Sequence, residues 1–312
     1  MTFILNRIKT DFHKAYDSIK LPEVEETFDI YFSRFFGYYF ALIGKRLSMT
    51  PNQISIISLL VGALAGYFFY FQEDVVMILW ACFFITLSGL LDSADGQLAR
   101  MTKQSSDIGR VLDGTIDTVV FIACYFGACI YFLEHGYGLW IFPIAIIAGY
   151  AHSAKSCVYE YYKAEFVYYV NADSGSRIAY LDEMKKPENK GFIYLVLYYL
   201  ELDYMRKQTM FHGRERTHRE KFEQYTFGVQ GQKFSELYRK TNESIMTWWA
   251  LVCGTNVHRT VMMVTSLFGR MDWYFYFSIV TFFPLFAVVK WQKRLDKNLL
   301  AKFESNYAGV KA

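Results

Sequence analysis

The sequence predicts an all-α integral membrane protein: a bundle of six transmembrane helices with an N-terminal interfacial helix and a cytoplasmic helical insertion. Three observations predict it. The chain has 312 residues, of which 53% are hydrophobic and 19% aromatic, which is too apolar for an ordinary soluble domain. Apolar windows of roughly 20 residues, the length that crosses a bilayer, recur along it. Charged stretches separate these windows, and their basic residues fall on one side of the predicted membrane.

The apolar windows place the six spans at 53–72, 75–98, 108–133, 138–160, 246–268 and 272–291. We therefore expect five regions along the chain. They are N-terminal cytoplasmic and interfacial helices at 1–50, spans one to four with a motif at 92–117 inside 51–160, a cytoplasmic insertion at 161–243, spans five and six at 244–292, and a cytoplasmic tail at 293–312.

The region before the first span predicts a helix in the membrane interface. Residues 23–48 carry a wide aromatic stripe interrupted by charges, as such helices do. Thr50-Pro51-Asn52 then offers a helix cap followed by proline in the first turn. By contrast, 161–243 is polar, and its apolar piece is too short and too close to charges for a span, so we interpret it as a helical insertion.

Charge placement predicts the orientation of the chain. Lysine and arginine crowd both termini, the 99–110 connection and the insertion, which places all of them on the cytoplasmic side. The net charge of +3 is too small to indicate a nucleic-acid partner. The five cysteines have no metal-type pairing and an odd total, so structural disulfides are not expected.

The segment that indicates chemistry is a set of acids at two consecutive span ends. Asp92, Asp95, Gly96 and Ala99 follow i, i+3, i+4, i+7 spacing, so two acids and two small residues share one helix stripe. On the next helix Gly109, Asp113 and Asp117 repeat every four residues, and a short cytoplasmic turn joins the two helices. The sequence therefore predicts four carboxylates close together at the cytoplasmic edge of the membrane.

Four ionised carboxylates at the edge of hydrocarbon repel one another unless a positive charge lies between them. Oxygen ligands alone select a hard ion, so we expect Mg²⁺ or Mn²⁺. Small residues beside the acids would let a phosphate ligand approach the backbone. One alternative is that the acids merely pair with Arg100, Lys103 and Arg110. Another is a cation transporter, although acids at one membrane face on a single hairpin argue against it.

These residues resemble the CDP-alcohol phosphotransferase family, whose motif reads D-x-x-D-G-x-x-A-R, a spacer, then G-x-x-x-D-x-x-x-D. The resemblance extends to the six-span plan and does not cover the insertion. It implies that Asp92, Asp95 and Asp113 hold the metal, and that Asp117 reaches the metal and serves as general base. It also implies that the CDP part of the donor is bordered by Gly96, Ala99, Arg100, Gly109 and, in the T-P-N turn, Asn52. For that turn a plain helix cap remains an equal interpretation.

Two basic residues inside predicted spans suggest an acceptor site. Lys155 follows His152 by three residues, and Arg259 follows Asn256 by three, so each span presents a polar stripe. Members of the resembled family that use phosphorylated inositol hold the acceptor phosphate with basic residues on spans four and five. Our hypothesis is that Lys155 and Arg259 bind such a phosphate. The alternatives are that Lys155 snorkels to the interface and that Arg259 pairs with a motif acid.

The expected reaction moves a phosphatidyl group from CDP-diacylglycerol to a phosphorylated polyol such as inositol 1-phosphate, with release of CMP. The alternative within the class is a CDP-ethanolamine or CDP-choline donor with a diacylglycerol or ceramide acceptor. The enzyme would be integral to a membrane, the inner one in a bacterium, would contact membrane lipids and would face the cytoplasm. A homodimer is implied by the resemblance.

Overall fold

The computed structural model describes residues 21–104, 107–172, 177–178, 180–184, 186, 191–212 and 216–307, without the side chains of 107–115, 192–194, 197 and 210–212. Every regular element in these ranges is helical, which confirms the all-α fold class. The long helices are α1 (Arg34–Arg46), α2 (Pro51–Phe68), α3 (Val75–Thr102), α4 (Asp107–Phe132), α5 (Ile141–Asn171), α6 (Phe192–His212), α7 (Arg216–Thr226), α8 (Gly231–Cys253), α9 (Thr255–Leu267), α10 (Met271–Val280) and α11 (Phe282–Tyr307).

Five stretches of the described chain are long and apolar enough to cross a membrane. They correspond to the expected spans one to four and six. Their bounds are Pro51–Phe68, Val75–Thr102, Ile116–Tyr137, Ile141–Asn171 and Met271–Asn306. The length and composition of these stretches suit a chain that is integrated into a membrane.

The expected fifth span, 246–268, is divided between two helices. α8 ends at Cys253, Gly254 has extended backbone with ψ near 137°, and α9 begins at Thr255. α9 has 13 residues and so reaches only about 20 Å, less than the roughly 30 Å hydrocarbon core. A hydropathy window averages over this break, so the break escaped the sequence analysis. The presence of a sixth span stays a prediction.

Packing divides the described chain into two compact units. The first contains the described residues up to Ala151 together with His258–Ile279, and it holds the two helices that carry the acid motif. The second contains His152–Val257 and the described residues from Val280 onward, and it holds the predicted insertion. The five regions expected along the chain stay a prediction.

Within the first unit, small residues let α2 lie directly against α3 and α4. The Ser58 hydroxyl donates to the Ser88 carbonyl at 2.8 Å, and a Cβ at Gly62 would meet Val120 and Ser88. Further along, a Cβ at Gly66 would lie 2.6 Å from the carbonyl carbon of Ala123. Because real Cβ atoms do not approach so closely, these positions require small residues. α2 therefore holds both motif helices in place.

α1 packs on the same unit through its small face. A Cβ at Gly37 would meet Ser93, and one at Gly44 would meet Ile54. Ala41 is fully buried between them. The opposite face exposes apolar residues, including Leu42, Ile43 and the neighbouring Leu47. This two-sided character is what an interfacial helix requires, and its location in the interface stays a prediction.

In the second unit the described part of the predicted insertion is helical and contains α6, α7 and the first part of α8. A buried ion pair joins α7 to α5, with Arg219 Nε 2.9 Å from Glu165 Oε1. Burial alone would lower the pKa of the Arg219 guanidinium, but the Glu165 carboxylate and the surrounding tyrosines raise it above its ordinary value. The guanidinium of Arg219 also lies over the Tyr161 ring, and the Phe222 and Tyr238 rings pack against each other in the same unit.

Candidate active site

α3 carries the first half of the motif on its last turns. The helix is continuous from its Asp74 cap to Lys103, which has the left-handed backbone conformation (φ 54°) that ends many helices. Asp95 is buried, whereas Asp92, Gly96 and Ala99 are half-buried and Arg100 is exposed. The predicted stripe therefore lies on one helical face, with the buried Asp95 among half-buried residues and the exposed Arg100 next to its end.

Asp95 has a hydrogen-bond partner that sequence reasoning missed. Ser55 Oγ, on the second turn of α2, donates to Asp95 Oδ2 at 2.5 Å, and both side chains are buried. Hydroxyl-to-carboxylate hydrogen bonds are among the short and strong ones in proteins. Ser55 lies on the α2 face that also presents Ser58 and Gly62, and that stripe of small residues was the available signal.

The first turn of α2 is a capping box, as the T-P-N sequence predicted. The Thr50 hydroxyl accepts from the Gln53 amide at 3.3 Å, and the Gln53 side chain accepts from the Thr50 amide at 2.8 Å. Pro51 occupies the first helical position, where no hydrogen-bond donor is required. Asn52 is exposed beside it. The predicted helix cap is confirmed, and the nucleotide role of Asn52 stays a prediction.

On α4, Asp117 lies against Arg259 of α9. Arg259 Nη2 is 3.5 Å from Asp117 Oδ1, within the same compact unit. The Arg259 side chain is only 10% exposed, and its Nε is buried without a hydrogen-bond partner among the described residues. The structure therefore has the arrangement that the sequence analysis gave as the alternative to an acceptor clamp, an arginine paired with a motif acid.

Gly89 makes room for this arginine and was also missed. It lies three residues before Asp92 on α3, and a Cβ at Gly89 would collide with the Arg259 guanidinium. Arg259 thus lies beside α3 through Gly89 and beside α4 through Asp117. The signal was present in the sequence, because Gly89 extends the motif stripe by one step toward the N-terminus.

Lys155 belongs to the second unit and is fully buried. Its ammonium donates to Thr281 Oγ1 at 2.5 Å, within that unit. A buried ammonium is not at an exposed interface, so the structure does not have the snorkelling arrangement considered for Lys155. Its predicted role in binding the acceptor stays a prediction.

The donor set fits a hard divalent cation in its chemistry, since Asp92, Asp95 and Asp117 all offer carboxylate oxygens. Gly109 and the Asp113 side chain, which complete the predicted site, lie outside the side chains that the structure describes. Across the described side chains alone, no group of three or more His, Cys, Asp or Glu residues is placed to hold a metal. The ligand set therefore stays a prediction.

Comparison with known proteins adds to this geometry. Residues 48–178 match the family described as CDP-alcohol phosphatidyltransferase, a range that contains α2, α3, α4 and the motif. An archaetidylinositol phosphate synthase of Pyrococcus horikoshii is 40% identical over 88 residues, which are 27% of this chain and 45% of that protein. A putative cardiolipin synthase of Mycobacterium tuberculosis is 33% identical over 81 residues, 26% of this chain and 37% of that protein. The chain matches less than half the length of these relatives.

Proposed function

We propose that this chain is a transferase of phospholipid synthesis that moves a phosphoalcohol group from a CDP-linked donor to an alcohol and releases CMP, because residues 48–178 match the CDP-alcohol phosphatidyltransferase family. One observation carries the proposal. The complete acid motif lies inside the matched range, with Asp95 buried on α3 and Asp117 placed on α4 beside a buried arginine. A cation transporter would have no need of this motif.

In the proposed site, Asp92, Asp95, Asp113 and Asp117 would hold Mg²⁺ or Mn²⁺. When bound, the ion would neutralise charge on the donor diphosphate and on departing CMP. Gly96, Ala99, Arg100, Gly109 and Asn52 would border the nucleotide. The half-buried small residues of the motif face support this assignment, because a diphosphate needs close access to the backbone.

Asp117 is the proposed general base. The acceptor oxygen forms a bond to the phosphorus that carries the donor alcohol, and its proton passes to an Asp117 carboxylate oxygen. The bond from that phosphorus to the bridging oxygen breaks, and its electron pair leaves on CMP. Positioning and charge neutralisation accelerate such a transfer without a covalent enzyme intermediate. Arg259, 3.5 Å from Asp117, would keep the carboxylate oriented before the acceptor arrives.

CDP-diacylglycerol is the proposed donor, and a phosphorylated polyol such as inositol 1-phosphate is the proposed acceptor. Two observations support this choice. The guanidinium of Arg259 lies next to the proposed base, where an anionic head group would gain a charged hydrogen-bond donor. The relative from Pyrococcus horikoshii is called an archaetidylinositol phosphate synthase. Lys155 is the second proposed contact for the acceptor phosphate.

The proposed enzyme has six spans and works at the cytoplasmic side of its membrane as a homodimer. The motif acids lie at the end of α3 that leads into the basic 99–110 connection, and basic connections mark the cytoplasmic face. The exposed apolar face of α1 would lie in the interface beside this site.

The test is CMP release by the purified protein with Mn²⁺ and CDP-diacylglycerol, comparing inositol 1-phosphate with free inositol, glycerol 3-phosphate and serine. We expect release that depends on Mn²⁺ and on inositol 1-phosphate. Release only with CDP-ethanolamine or CDP-choline and a lipid acceptor would reverse the donor and keep the reaction class. No CMP from any donor would overturn the transferase assignment.

Asp117→Asn tests the base. We expect its turnover to fall by about 10²- to 10⁴-fold, the usual contribution of general-base catalysis, while CDP-diacylglycerol binding changes little. Asp203→Asn is the control, because Asp203 is an exposed acid of α6 whose side chain is 58% accessible. Turnover by Asp117→Asn within twofold of the unchanged protein would remove the assigned base.

A further inference from the structure

Ser55 and Asp95 form a bond that connects α2 to the acid motif. Ser55 Oγ is 2.5 Å from Asp95 Oδ2 and 3.1 Å from the Pro51 carbonyl oxygen. The side chains of Ser55 and Asp95 are 4% and 5% exposed, so water competes little for either group. A hydroxyl carries one proton, and an ionised carboxylate is the stronger acceptor. The proton therefore belongs on the short bond to Asp95.

We propose that Ser55 is a positioning residue for the metal ligand Asp95, an inference that rests on the function proposed above. Its hydroxyl occupies one lone pair of Oδ2 and holds the carboxylate in a single orientation. A carboxylate ligand that is already oriented loses less freedom when it binds an ion. Groups that orient metal ligands in this way typically change metal affinity or activity about 10- to 100-fold when they are removed.

The T-P-N turn acquires a second purpose from this contact. The capping box of Thr50 and Gln53 sets where α2 begins, and Pro51 fixes the backbone of its first turn. Ser55 lies one turn after Pro51, so the cap determines the direction in which the Ser55 hydroxyl points. The turn would therefore contribute to the metal site through Ser55.

Ser58 provides a matched control one turn further along α2. It is also a buried serine that bonds to α3, with Ser58 Oγ 2.8 Å from the Ser88 carbonyl and 3.1 Å from the Ser88 hydroxyl. None of these partners is a carboxylate. Ser58→Ala therefore removes a similar helix–helix hydrogen bond without touching the acid motif.

The experiment measures Mn²⁺ binding to the purified full chain, with electron paramagnetic resonance as the readout. A thermal melt of each variant shows whether it is folded. We expect Ser55→Ala to weaken Mn²⁺ binding about 10- to 100-fold, Ser58→Ala to change it less than about twofold, and Ser55→Thr to restore it, because threonine keeps the hydroxyl. The Mn²⁺ concentration for half-maximal CMP release should shift in the same order. If Ser55→Ala does not fold, Ser55→Cys replaces it and should bind with intermediate affinity, since a thiol is a weaker donor.

Asp95→Asn distinguishes a failure of the proposed metal site from a failure of the role proposed for Ser55. If Asp95→Asn binds Mn²⁺ as tightly as the unchanged protein, Asp95 is not a ligand and the proposed site fails. If Asp95→Asn loses binding while Ser55→Ala, or Ser55→Cys in its place, does not, only the role of Ser55 fails. Equal losses of Mn²⁺ affinity in Ser55→Ala and Ser58→Ala would mean that both serines act through helix packing. That result would also overturn the positioning role of Ser55.

Discussion

Arg259 allows two roles that predict different kinetics. In the structure it is the counter-ion of Asp117, held beside Gly89, with little of its side chain accessible. A buried arginine of this kind orients the acid and offsets its charge. An acceptor phosphate that entered the site would offer the same guanidinium a second anionic partner, and the two anions would then share it.

Arg259→Ala is expected to raise the KM for inositol 1-phosphate roughly 10- to 100-fold, the loss that follows when a hydrogen bond to a charged group is removed. The KM for CDP-diacylglycerol should hardly change, because the donor is assigned to other residues. Arg259→Lys should recover part of the loss, because it keeps the charge but not the planar donor pair. Steady-state CMP release, titrated with each substrate in turn, measures the difference.

The control for that series is Arg294→Ala, an exposed arginine of α11 in the second unit. Its kinetics should match those of the unchanged protein. Should Arg259→Ala lower kcat and leave the KM values for inositol 1-phosphate and CDP-diacylglycerol unchanged, Arg259 would act only as the counter-ion of Asp117.

At the scale of the elements, the contact between α2 and α4 determines where the motif acids lie. Gly127 of α4 touches the Gly66 carbonyl of α2, so a Cβ at Gly127 would collide with the backbone. We expect Gly127→Ala to force the helices apart at a cost of about 1–3 kcal/mol, the usual penalty of overpacking. A lower melting temperature in detergent, with weaker Mn²⁺ binding, would report this separation.

Gly149→Ala of α5 is the matched substitution. Its Cβ would meet the Tyr125 ring at 3.4 Å, an ordinary contact, and alanine favours a helix over glycine by up to about 1 kcal/mol. Its melting temperature should stay or rise. If both variants melt alike, the close approach of α2 and α4 does not constrain the fold.

The spans and the motif positions were predictable because they depend on local patterns. Hydropathy gives α3 its length, and i, i+3, i+4 spacing puts Asp92 and Asp95 on one face. Ser55 and Gly89 were not predictable, because their roles depend on which helix lies opposite them, and that is a long-range property. The break at Gly254 was hidden for a different reason, since averaging over a window conceals a single residue.

For the whole molecule, the predicted insertion is tied to the end of the matched domain. Arg219 of α7 donates from Nη2 to the Ile178 carbonyl at 2.7 Å, and residue 178 is the last that matches the family. The same guanidinium pairs with Glu165 of α5 and lies over the Tyr161 and Tyr180 rings. One buried side chain therefore joins α5, α7 and the segment between them within the second unit.

Arg219→Met would leave the Glu165 carboxylate buried without its cation, which typically costs about 3–5 kcal/mol. Since the pKa of Arg219 is raised, the stabilisation by the ion pair is fully present at neutral pH. It would be lost only as the pH rises through this raised pKa. Arg216→Met, three residues earlier on α7, is the control. Arg216 also pairs with two acids, but it is 57% exposed, so its loss should lower the melting temperature far less. If Arg219→Met lowers the melting temperature at pH 7 much further than Arg216→Met, the insertion is a packed part of the second unit. Equal melting temperatures would mean that the buried pair contributes no more than a surface pair.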